Sequence, residues 1–232
     1  MTLEEKDRLE IVKEVCSLQD CTLQEIYNFV KTGKAVTGAL PTGTVLDPTP
    51  ADGVYLVMRD GVCHKFTGTN IILNCDNPVI GIGVKQGNRG VIVALKDAAD
   101  DRDVTLTTRE DTTDYNGYID TRIDAVADWN GKANTDHLRE IGLNPAIQLK
   151  DGEYIPSVGE MYIIYTHRRE INAALRHVGG EEIGALWYWT STEPSAANAW
   201  HLYLSDGYLL NWYTKVSSKG RVRPVSAFNF NR

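Results

Sequence analysis

The segment from Tyr188 to Phe228, YWTSTEPSAANAWHLYLSDGYLLNWYTKVSSKGRVRPVSAF, constrains this chain more than any other and holds three of its five tryptophans. Asp206-Gly207 stands between two runs of alternating character, and an Asp-Gly pair suits the positive φ angles of a two-residue type I′ hairpin turn. That turn sets a register: Ser205 faces Tyr208, Leu204 faces Leu209, Tyr203 faces Leu210, Leu202 faces Asn211, His201 faces Trp212 and Trp200 faces Tyr213. Directly opposed residues share a face. One face then carries Trp200, Leu202, Leu204, Leu209, Asn211 and Tyr213, the other His201, Tyr203, Ser205, Tyr208, Leu210 and Trp212.

The first face is aliphatic and expected to be core. The second has no Lys or Glu, whereas a solvated strand face ordinarily carries charge. Rings with few rotors mixed with Ser give large contact area at low entropic cost, the composition of antibody-like contact surfaces. Coverage by another layer of the same domain is the alternative.

The 232-residue length allows one large domain, or one domain with an appendage. A net charge of −7 disfavours nucleic acid as a partner, since a nucleic-acid face is basic. The N-terminal MTLEEKDRLEIVKEV has no secretory pattern, and no apolar run approaches a membrane span, so no membrane insertion is expected. Cys16, Cys21, Cys63 and Cys75 lack zinc-site spacing and read as free thiols; no metal or cofactor is expected.

Along the chain, residues 1–50 read as two short amphipathic helices and a Gly/Pro-rich linker, with the main domain at 51–232. Residues 55–66 and 79–95 read as hairpins turning at Asp60-Gly61 and QGNRG. Residues 97–117, polar and acidic, read as a surface loop. TRIDAVADWNGKANTDHLREIG reads as helix, turn, helix, with Ile123, Val126 and Ala127 inward and Gly142 ending the second helix. Residues 155–180 read as a helical block capped by Ser157 with Glu160 three residues on; Met161, Ile164, Tyr165, Ile171, Ala174 and Leu175 form its buried side. Helices, short strands, helices and an antiparallel tail make an α+β pattern.

YWTSTE (188–193), Ala199-Trp200, the L-x-L-S-D-G run (202–207) and RVRPVSAF (221–228) together resemble the C-terminal signature of a C-type-lectin-like family of gut bacteria and their phages. DWNGKANTD (128–136) and the PSVGEMYIIYTHRREINAAL block (156–175) match its upstream segments, so the resemblance spans roughly 70–228. The family includes the variable proteins of diversity-generating retroelements, in which an error-prone copy of a template replaces the 3′ end of the gene. The resemblance implies a C-type-lectin-like fold, no enzymatic activity, and a diversified ligand-binding surface of Pro194, Ala196, Ala197, His201, Tyr203, Ser205, Tyr208, Leu210, Trp212 and Tyr213. Randomised adenines in an AAC template codon reach all of these except Trp212, which needs another codon such as AAG. Tyr213 stands out because the hairpin register puts it on the core face.

The implied partner is a protein or glycan ligand on a target cell surface, and the implied location a virion or extracellular surface. The N-terminal segment is a candidate for homo-oligomerisation. Arg221 and Arg223 read as scaffold, with Glu193 or Glu160 as candidate anionic partners, and Trp187 and Trp189 read as core. Three rival readings stand beside this one. An enzyme is disfavoured by scattered histidines and by the absence of Cys after Cys75. A calcium-dependent lectin is disfavoured because Glu193-Pro194-Ser195 and Leu204-Ser205-Asp206 do not reproduce an oxygen-rich ligand set. In the third, the chain is a structural or oligomerisation module whose aromatic face packs on another subunit.

Overall fold

The computed structural model describes residues 51–68, 77–113 and 115–228. The expected N-terminal helices, the linker through residue 50, and Cys16, Cys21 and Cys75 lie outside the described residues. Residues 51–66 and 79–228 belong to one compact unit.

The architecture is α+β. Strand β1 (Gly53–Met58) turns at Asp60-Gly61 into β2 (Cys63–Lys65), and β3 (Val79–Gln86) turns at Gly87-Asn88 into β4 (Arg89–Ala94). With β8 (Val225–Ala227) they form an antiparallel sheet in the order β2-β1-β3-β4-β8. Strand β1 is a continuous apolar run because both of its faces are covered. Val54, Leu56 and Met58 enter the main core, while Tyr55 and Val57 cluster with Phe228. A side chain at Gly83 would strike the Phe228 ring at 2.7 Å, so this glycine lets the C-terminal segment lie against the sheet.

Four helices are described: α1 (Arg122–Ala127), α2 (Gly131–Ile141), α3 (Val158–Thr166) and α4 (Arg168–Val178). Ser157 and Glu160 form the expected reciprocal capping box on α3. The 155–180 block is two helices divided at His167. Met161, Ile164, Ile171, Ala174 and Leu175 are fully buried against the large sheet, and Tyr165 is half-buried. Each large aliphatic among them contributes about 1.5–3 kcal/mol.

Helix α1 departs from expectation. Ile123 and Val126 are exposed, at 83% and 38%, Ala127 is exposed as well, and Ala125 is the buried residue. The ends of the helix set its rotation. Thr121 caps it, Arg122 Nη2 donates to the Leu209 carbonyl at 2.9 Å, and Asp128 just beyond it is tied down from several sides.

Asp128 joins three segments that are distant in the chain. Its carboxylate accepts from Thr192 Oγ1 (2.6 Å), Asn134 Nδ2 (2.8 Å) and the Asn130 amide (2.9 Å). Its carbonyl accepts from Ser157 Oγ (2.7 Å) and the Gly159 amide (3.1 Å). The DWNGKANTD, PSVGE and STE segments thus meet in one buried polar knot, in which each group removed from water finds a partner.

The described residues of 97–117 form an irregular, mostly exposed segment, as expected of a loop, but one anchored in the body of the protein. Ala99, Val104, Leu106, Thr107 and Asp111 are buried, and Val104 bridges to Gly220. Their apolar members form a second core with Leu138, Ile141, Ile155, Trp189, Ala199 and Val222. Sparse hydrophobic residues hid this stretch, because its burial comes from one residue here and there and from main-chain bonding.

Candidate functional site

The second sheet is β5 (Trp187–Trp189), β6 (Asn198–Tyr203) and β7 (Tyr208–Thr214), in that order. Its hairpin does not have the expected register. Tyr203 pairs with Tyr208, Leu202 with Leu209 and His201 with Leu210, so four residues, Leu204 to Gly207, make the turn. Gly207 alone in it has positive φ (78°), which rules out a type I′ turn, and its amide donates to the Tyr203 carbonyl at 2.9 Å. Tertiary contacts select this form. Leu204 is fully buried with its amide on the Leu186 carbonyl, Tyr162 Oη donates to the Gly207 carbonyl at 2.9 Å, and the Tyr165 ring lies where a Gly207 side chain would stand.

Between His201 and Ala199 the register slips, so that Ala199 faces Tyr213 and β7 carries one extra residue. This bulge turns Tyr213 onto the face of His201, with ring centroids 4.4 Å apart. The apparent exception at Tyr213 is resolved: it belongs with the aromatic face.

That face is divided. Toward Trp189 and Ala199 it is sealed by the 99–106 segment and α2. His201 is fully buried there, its ring 3.7 Å from that of Trp189, and neither imidazole nitrogen has a hydrogen-bond partner. Burial pushes its pKa down to about 3. His201 is therefore not available at the surface as the sequence suggested; the Gly220 main chain closes over it, leaving no room for a side chain at that glycine.

At the turn and along the edge strand β7 the face is more open. Trp187 stacks on Tyr203 (4.9 Å between centroids, 25° between planes) and on Tyr213 (5.6 Å, 28°), and Tyr208 meets Trp187 edge-on at 6.4 Å. Trp212 lies 5.2 Å from Tyr213. Tyr208 is 51% exposed, Trp212 64% and neighbouring Leu186 42%. The Arg122 guanidinium stands 5.8 Å over the Tyr208 ring. Tyr203, Leu210 and Tyr213 are half-buried, and Ser205 is exposed in the turn, off the strand face. Trp187, read as core, is a half-buried member of this stack; Trp189 is core. The missed signal was alternation: Trp187 and Trp189 pair with Tyr203 and His201 and so share their face.

The 194–198 loop, with half-buried Pro194, Ala196 and Ala197, is built at the other end of β6. Its carbonyls are held by the protein body, Ala196 accepting from the Asp111 amide (3.2 Å) and Ala197 from the Lys215 amide (2.9 Å). Tyr203 and Tyr208 pair at the turn end of β6, Tyr213 faces Ala199 next to this loop, and sealed His201 lies between them.

No protein-family model, no curated protein and no solved structure matches the chain.

The buried charges near the site are paired with one another. Glu193 is joined to Lys215, and Arg223 to Asp97 at 2.7 Å. Arg221 reaches Asp97, Asp101 and Asp103. The arginines therefore pair with the acidic 97–103 stretch and not with Glu193 or Glu160; Glu160 is engaged by Tyr154 Oη (3.0 Å) and the Ser157 amide (2.8 Å). Burial pushes the Glu193 and Asp97 carboxyls up, only partly offset by their cationic partners. Among the described residues no group of three or more His, Cys, Asp or Glu side chains is placed to hold a metal ion.

Proposed function

We propose that this chain is a non-enzymatic ligand-binding protein of C-type-lectin-like fold, whose C-terminal hairpin presents a diversified recognition surface. The fold reading is supported by short antiparallel strands, paired helices and a hairpin tail, together with the polar knot that joins the signature segments around Asp128. The function reading rests on one observation: Tyr208 and Trp212 are large, exposed rings continuous with a pre-stacked Trp187, Tyr203 and Tyr213. Rigid aromatic groups anchored from behind are what recognition surfaces use as energetic anchors. The ligand is a protein or glycan on a target cell, and the chain acts on a virion or an extracellular surface.

Two experiments test this. The purified protein, Tyr208→Ser and Trp212→Ser are compared for binding to intact bacterial cells and to a glycan array, with oligomeric mass measured in parallel. The reading expects binding by the parent that both variants lose at unchanged mass. Dissociation of an oligomer by either change would make the face a subunit contact instead. The neighbouring DNA is the second test: a near-copy of the 3′ end of the gene, with adenines at the codons for Ala196, Tyr203, Tyr208 and Leu210 and beside a reverse-transcriptase gene, establishes diversification, and its absence removes that part.

A further inference from the structure

Four ionisable side chains from four separate stretches of chain converge at the base of the 194–198 loop. Glu193 immediately precedes the loop and Lys215 follows β7; their side chains are 2% and 0% exposed and form an ion pair. His137 on α2 places Nε2 3.1 Å from Asp111 Oδ2 and 3.5 Å from Glu193 Oε2. Tyr115 stacks on that imidazole (3.6 Å, 11°), and Tyr118 Oη donates to Asp111 Oδ2 at 2.5 Å. Burial alone would push the Asp111 carboxyl up, but bonds from Tyr118, Thr113 and His137 outweigh it and hold it well below the carboxylate range.

Two of these residues also hold the loop by main chain. The amides of Asp111 and Lys215 are the donors to Ala196 and Ala197, and the Glu193 carbonyl accepts from the Ile119 amide at 2.8 Å. None of these bonds uses a loop side chain. A buried ion pair is weak evidence of stability, because desolvation opposes the attraction and an apolar pair of similar volume often serves as well. In some proteins such a pair instead fixes a single geometry.

We propose that Glu193, Lys215, His137 and Asp111 are positioning residues, a buried charge cluster that fixes the course of the 194–198 loop whatever side chains the loop carries. This rests on the reading of that loop as part of a binding surface, but its test needs no ligand. Amide hydrogen exchange at Asp111 and Lys215 is measured in the full chain, in Lys215→Met, and in the double variant Glu193→Leu/Lys215→Met. Lys215→Met strands a buried carboxylate and is expected to lower Tm. The double variant is expected to recover Tm while exchange at both amides rises about tenfold or more. A double variant with recovered Tm and parental exchange overturns the proposal. Should the double variant fail to fold, Glu193→Gln, which keeps shape and removes charge, decides it: faster exchange at both amides supports positioning and unchanged exchange refutes it. Loss of cell binding in Tyr208→Ser with normal exchange here bears only on the recognition reading.

Discussion

The His201 imidazole lies against the Trp189 indole, centroids 3.7 Å apart, with neither ring nitrogen hydrogen-bonded. An unfolded imidazole titrates near pH 6.5, whereas burial holds this one neutral down to about pH 3. Between those values the unfolded chain binds a proton that the native state refuses. Stability therefore rises with pH across this window and falls as pH drops from about 6.5 toward about 3, by up to about 1.4 kcal/mol per pH unit. Urea unfolding at about pH 4.5 and about pH 7 should show this loss in the parent and a smaller one in His201→Leu. Equal losses in both would assign the dependence to other groups.

Gly131 opens α2 against the capping box of α3. A Cβ there would meet Glu160 Oε2 at 2.0 Å and the Ser157 amide nitrogen at 2.7 Å. Because backbone cannot yield, Gly131→Ala is expected to cost about 3 kcal/mol, read as a lower denaturation midpoint. A shift below about 0.5 kcal/mol would mean that the two helices can separate freely.

Arg223 is fully buried, donates to the carbonyls of Ala94 (3.0 Å) and Glu181 (3.1 Å), and pairs with Asp97. Asp97→Asn leaves the guanidinium buried without its counter-charge and is expected to cost about 3–5 kcal/mol. Arg221, bridging to the exposed Asp101 and Asp103, should matter less: Asp103→Asn is expected to cost about 1 kcal/mol or less. Thermal or urea melts of the two variants separate these values.

The exposed and stacked rings should respond differently. Tyr208→Ser and Trp212→Ser touch little of the core, and their stability cost is expected to stay within about 1 kcal/mol. Trp187→Ser removes the ring that supports Tyr203 and Tyr213 and is expected to cost about 2 kcal/mol. Similar melting points for all three would show that Trp187 does not support the platform.

Much of the site was legible in the amino-acid order. The Ser157–Glu160 capping box, the Gly142 helix end and the turn at Asp60-Gly61 follow from local rules, and the structure contains them. Hairpin pairing of the tail was legible too, but not its register. The burial of Leu204 and the docking of Gly207 on Tyr162 and Tyr165 come from outside the hairpin. Ile123 shows the same limit: apolar spacing pointed it inward, while Arg122 and Asp128 hold the helix the other way. Trp187 was legible in principle, since strand alternation aligns it with Tyr203.

By itself the sequence determined the element types, the α+β class and the pairing of an aliphatic with an aromatic hairpin face, because period, caps and turn residues act over a few neighbours. Tertiary structure alone decided which half of the aromatic face meets solvent, where the bulge turns Tyr213, and that Glu193 answers Lys215 while Arg223 answers Asp97. Those outcomes depend on residues a dozen to more than a hundred positions apart competing for the same buried space, and no local pattern records who wins.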